Sequence, residues 1–199
     1  MKQSPIFEKT YRNYLSQIKF IEKKSITVPF FGKQYIISED GIYDSSNNKP
    51  IFALCVLLCR YIIFYPTIPS NDKDLVSYKD FKDAAPFVEG FVNNTEKAIV
   101  KNFSGKKDEL ILACQKIGGT PILGKFSYDV AMRFDALPKI PVFLLFNDKD
   151  EEFDAHCSVL FEKCVKEYLD MECLALIGWL LADHLLGFNG FNGCNRIEK

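Results

Sequence analysis

Polar and apolar positions alternate most clearly in the middle of the chain. Tyr128, Val130, Met132 and Phe134 alternate with Asp129, Ala131, Arg133 and Asp135, the period of two expected of a strand with one dry and one wet face. A slip of one residue would bury Asp129, Arg133 and Asp135, so the register is firmly set. Ala136-Leu137-Pro138-Lys139 follows, and Pro138 stops the strand by removing a donor. Ile140 to Phe146 is apolar throughout, which suits a strand covered on both faces, with Pro141 at its start. Asn147 to Glu152 ends this hairpin in an acidic loop, and Ser158 to Phe161 fits a third strand beside it.

Ser4-Pro5 looks like a cap with proline at the first helical position, and Phe7, Tyr11, Tyr14, Leu15 and Ile18 recur at helical spacing. They predict a helix from about Pro5 to Glu22. Ile26 to Ser38 predicts a hairpin turning at Gly32-Lys33, followed by a short strand at Ile42-Tyr43-Asp44. Ile51 to Tyr65 predicts a core helix ended by Pro66, and Leu75 onward a short strand. Ala85 to Gly90 reads as irregular, with helices at Asn94–Phe103 and Lys107–Ile117, the second stopped by Gly118-Gly119 and Pro121. Asp170 is a fitting cap for a closing helix to Leu186. Hairpins and helices mix without a βαβ rhythm, so the expected class is α+β: a single domain over residues 1–188, antiparallel hairpins packed with several helices, and a flexible tail over 189–199.

Composition adds limits. The chain has 199 residues, 48% of them hydrophobic, with 18 Phe, so one substantial core is expected and disorder is not. Net charge is −1 and the basic residues are scattered, which gives no footprint for nucleic acid. The stretches Ile51–Ile68 and Cys173–Phe188 are shorter than the roughly 20 residues of a membrane span, and each carries an expensive polar group. They read as core helices, with no membrane partner. The opening residues have no signal-peptide pattern, and seven cysteines is an odd number, so reduced thiols and a cytoplasmic location are expected.

Candidate chemistry is sparse. Arg133 and Asp135 share the wet face of the hairpin, and Asp148, Glu152 and their acidic neighbours crowd the loop after it. Polar loops on rigid strands often carry function, so Arg133, Asp135, Asp148 and Glu152 are candidate contacts for a small anionic ligand or a protein partner. The plain alternative is an exposed hairpin end with an ion pair worth little. The loop lacks the DxDxDG spacing of a calcium hand. His156-Cys157 is a candidate metal site, since imidazole and thiolate are good zinc or iron ligands, although adjacent strand residues point to opposite faces. Cys55 and Cys59 lie one helical turn apart, where core packing is the commoner role. His184 near a helix end suits the helix dipole. No phosphate-binding glycine loop, nucleophile elbow, HExxH or CxxC is present.

The block from Arg133 to Phe153, with Ser158–Phe161 and Tyr168–Leu185, resembles the uncharacterised family catalogued as domain of unknown function 3786. FFGKQYIIS from Phe30, LLCRYIIFY from Leu57 and VSYKDF from Val76 fit the same pattern. The resemblance spans about Tyr11 to Leu186. It implies a domain found mainly in anaerobic bacteria and archaea, sometimes fused to a small iron–sulfur module like that of corrinoid iron–sulfur proteins, and hence a setting in redox or one-carbon metabolism. It assigns no catalytic residue and no cofactor. This chain lacks the cysteine-rich module and has Glu162 where relatives often have Asp. The expected function is a ligand- or partner-binding accessory domain. The alternatives are a metal-binding protein or metal-dependent enzyme using His156, Cys157 and residues 148–154, and a structural homo-oligomer subunit. Cofactor and oligomeric state are left open.

Overall fold

A computed structural model describes residues 5–20, 24–68, 70–124 and 127–187. In chain order the elements are α1 (Pro5–Leu15), β1 (Ile26–Phe30), β2 (Lys33–Ser38), β3 (Gly41–Asp44), α2 (Phe52–Ile63), β4 (Leu75–Ser77), α3 (Val88–Phe91), α4 (Lys97–Phe103), α5 (Lys107–Lys116), β5 (Thr120–Pro121), β6 (Val130–Leu137), β7 (Ile140–Asn147), β8 (His156–Glu162) and α6 (Met171–Leu185). Two antiparallel sheets form, β1-β2-β3 and β4-β8-β7-β6-β5. The class is α+β, as the mixture of hairpins and helices predicts.

The five-stranded sheet is built around β7. Ile140 to Phe146 are all buried, which explains the unbroken apolar run. In β6, Val130, Met132 and Phe134 are buried and Asp135 is exposed. Pro138-Lys139 makes the turn, with Lys139 at φ 66°. Pro141 opens β7 opposite Asp135, and Cys157 to Phe161 continue the sheet as β8 along its other edge. The smaller sheet turns through Phe31 (φ 44°) and Gly32 (φ 76°), the positive pair a tight hairpin turn requires. This turn meets the large sheet directly, because Phe31 N donates to Ala136 O at 3.0 Å. On the far strand, Asp44 accepts from Ser46 and Asn48 N at 2.9 and 2.8 Å and pairs with Lys33 at 2.7 Å.

Helices close the core. Asp170 caps α6 by accepting from Cys173 N at 2.9 Å, and pairs with Arg60 of α2. Gly178 lets α6 approach the helical stretch beneath it: an added Cβ there would lie 2.3 Å from Phe91 and 2.9 Å from Thr95. Cys55, Cys59, Cys114 and Cys173 are core residues, and burial pushes each thiol up to about 12. No helix among the described residues is long and apolar enough to cross a membrane.

Three boundaries differ from the sequence pattern. The first helix ends at Leu15 in a turn rather than running to Glu22, which lies outside the described residues. Strand β4 stops at Ser77, where Ser77 and Asp80 form a capping box for a single 3₁₀ turn. The stretch read as irregular, Ala85–Gly90, is helical. A 3₁₀ turn at Ala85–Phe87 leads into α3, a π-helical turn at Val92–Glu96, and α4. The proposed tail, 189–199, lies outside the described residues.

Candidate functional site

Arg133 and Asp135 do meet. Two hydrogen bonds, of 2.6 and 3.2 Å, join guanidinium to carboxylate on the exposed face of β6. Each is thereby committed to the other, at an exposure where such a pair contributes at most about 1 kcal/mol. Asp148 is elsewhere. Arg133 lies opposite Phe143, and Asp148 follows five residues later, about 16 Å along the strand direction.

The acidic loop is occupied with holding itself and its neighbours. Asp148 accepts from Gly105 N, Lys107 N and Lys149 N at 2.5, 3.2 and 2.8 Å. Desolvation alone would raise its carboxyl, but these donors together with Lys107 hold it below the ordinary value. Lys107 begins α5, and Lys106 before it makes no side-chain cap. Asp148 therefore caps α5 from a distant strand end. Asp150 accepts from Glu152 N and Phe153 N at 2.8 and 2.7 Å, so Glu152 enters the loop through its backbone.

His156 and Cys157 diverge. His156 is exposed while Cys157 is buried, and the Cys157 thiol is raised well above its usual value, first by desolvation and then by Glu96. Among the described residues no group of three or more His, Cys, Asp or Glu side chains is placed to hold a metal. The neighbour that sequence reading missed is Glu96 in the π-helical turn. It is half-buried and accepts from Val159 N at 3.0 Å, filling a backbone donor of β8 beyond the end of β4. Desolvation raises its carboxyl, against the lowering influence of that bond, His156 and Lys79.

A cleft of about 450 Å³ opens between the end of α4, one face of α5 and the end of α6. Helix α5 is two-sided: Leu110 and Cys114 are buried, while Glu109, Leu112, Ala113 and Lys116, at i, i+3, i+4 and i+7, line the cleft. Its apolar surface comes from Phe103, Leu112, Ala113, Leu185 and Leu186. Leu112 is 58% exposed, an apolar side chain left open at the cleft wall. The polar groups are Asn102, Glu109, Lys116 and His184. His184 is the best positioned. Its Nδ1 lies 2.5 Å from Leu180 O, and its ring rests against Phe30 and Phe31 at 6.1 and 5.6 Å. A carbonyl only accepts, so Nδ1 carries the proton and Nε2 is the nitrogen a ligand can address.

Fold and cleft together define an α+β domain with a small helix-bounded cleft. Residues 13–184 match the family model described as "Domain of unknown function (DUF3786)", and the chain belongs to that family. No curated protein and no solved structure matches the chain. Of the cleft residues, sequence reading singled out only His184. An exposed Leu112 was the available signal, but periodicity does not tell an open apolar position from a covered one.

Proposed function

We propose that this domain is a binding module whose cleft between α4, α5 and the end of α6 takes a small molecule. The observation that carries the reading is the cleft itself. Its volume of about 450 Å³ lies within the roughly 300–1,000 Å³ of ligand sites, and an apolar wall with a few polar groups is their usual lining. Its position adds support, because the lining residues sit on helices, which hold geometry better than loops. The cytoplasmic setting is supported by the buried reduced thiols. The accessory role in redox or one-carbon metabolism is supported by the family resemblance.

The test is native mass spectrometry on protein purified without oxygen, comparing wild type with Ala113→Trp. Ala113 lines the cleft and is only partly buried, so an indole there fills the site from its wall. An added mass on wild type, lost in the variant, is the expected result. The same added mass on both would place the ligand elsewhere and overturn the reading.

A second reading concerns the β5–β6 side of the large sheet, where β6 carries the exposed Arg133–Asp135 pair. Ile122 N donates to Ala131 O at 2.9 Å, and the next residue, Leu123, is 89% exposed. An exposed apolar side chain and an exposed charge pair on one side of a sheet are groups a partner contact uses. On this reading Arg133→Ala weakens partner capture and leaves the melting temperature unchanged.

A further inference from the structure

We propose that the cleft selects an alkylammonium ion, an apolar body carrying a protonated amine with N–H donors. The inference rests on the cleft being a ligand site and concerns which chemistry it takes. The polar groups of the cleft have mostly acceptors left to offer. Asn102 Nδ2 donates to Ala98 O at 2.7 Å, which fixes the amide orientation and leaves Oδ1 as its outward group. His184 Nδ1 is spent on Leu180 O, so Nε2 is the ring nitrogen left to meet a ligand. Glu109 offers only acceptors, and its one ion pair, with Lys106 at 3.8 Å, is long and exposed.

Among the described residues Lys116 is the single cationic side chain lining the cleft, and it is exposed. Among the described residues two acceptors, Asn102 Oδ1 and the Glu109 carboxylate, thus face one mobile donor, with His184 Nε2 beside them. The cleft also meets the C-terminal end of α6, a 15-residue helix whose dipole favours positive charge there. Among the described residues, an anion would meet Glu109 and that helix end with only the exposed Lys116 as a cation to hold it. An ammonium group satisfies the acceptors while its chain covers Leu112, Ala113 and Leu186. The small anionic ligand expected from Arg133 is therefore not the ligand this cleft fits.

Three probes that differ only in the head group test this: n-hexylammonium, n-hexanol and hexanoate, titrated at equal ionic strength. Amide and methyl resonances of Leu112, Ala113 and Leu186 report binding. Hexylammonium is expected to bind at least fivefold tighter than hexanol, with hexanoate weakest. Glu109→Gln is expected to weaken hexylammonium about three- to fivefold and to leave hexanol unchanged. Glu109 is exposed, so this variant folds. Equal or tighter binding of hexanol or hexanoate, or an amine preference that survives Glu109→Gln, overturns the ammonium assignment and leaves the cleft as a ligand site. Failure of all three probes to shift the cleft resonances overturns both readings.

Discussion

Asp148 is predicted to act as a tertiary cap rather than as a ligand contact, and its removal has a calculable effect. Asp148→Ala leaves Gly105 N and Lys107 N without their acceptor and strips α5 of a negative charge near its first turn. Losing a helix cap costs about 0.5–2 kcal/mol. Hydrogen bonds to a charged group contribute about 1.5–3 kcal/mol, but this loop is exposed and water replaces part of the loss. The expected total is about 1–2 kcal/mol. At about 2–4 °C per kcal/mol for a chain of this size, the melting temperature falls by about 2–8 °C. Asp148→Asn keeps one acceptor and falls by less.

The pH dependence has a definite sign. The folded carboxyl is held below its ordinary value of 3.8, so its contribution is present above that value and is lost as pH falls through the folded value. The gap between wild type and Asp148→Asn therefore closes in acid. Thermal melts by circular dichroism at pH 7 and pH 3, with hydrogen exchange at Gly105 and Lys107, measure both effects. An Asp148→Ala melt within 1 °C of wild type at pH 7, with unchanged exchange at those amides, would refute the capping argument.

Other consequences follow from the core. Glu96 is half-buried and desolvation raises its carboxyl, so its contribution is present below the ordinary 4.5 and lost as pH rises through the folded value. Glu96→Gln keeps an acceptor for Val159 N without the charge, and should be more stable than wild type at pH 7, with the difference vanishing below pH 4; a less stable variant at pH 7 would contradict this. Gly178→Ala forces a methyl against Phe91 and should cost about 1–3 kcal/mol in urea unfolding. Cys55, Cys59, Cys114 and Cys173 are buried thiols pushed up to about 12, so iodoacetamide at pH 8 should reach them only as fast as the protein opens, as peptide mapping would show.

What the sequence makes legible is local. Alternation placed β6, the apolar run placed β7, and Asp170 marked the start of α6, because each signal lies within a few residues of the structure it specifies. The helical start at Ala85–Gly90 was missed because Pro86 and Gly90 look like breakers. Pro86 in fact sits at the opening of the 3₁₀ turn, where its absent N–H costs nothing, and a Cβ added at Gly90 would lie 3.3 Å from the Trp179 ring, a tight contact. The sites were less legible. Asp148 and Gly105 are 43 residues apart, and an acidic loop looks the same whether its carboxylates are open or spent on backbone donors. The cleft joins α4, α5 and α6, so no short stretch of sequence announces it.

The central claim is that the cleft beside His184 is where this domain binds its ligand. The most direct test is a screen of small polar and apolar fragments against the isotope-labelled protein, mapped by amide shifts. The account predicts that the hits converge on Asn102, Leu112, Ala113 and His184, and that Ala113→Trp abolishes them. Hits that gather around Arg133 and Asp135, or that persist in Ala113→Trp, would contradict it.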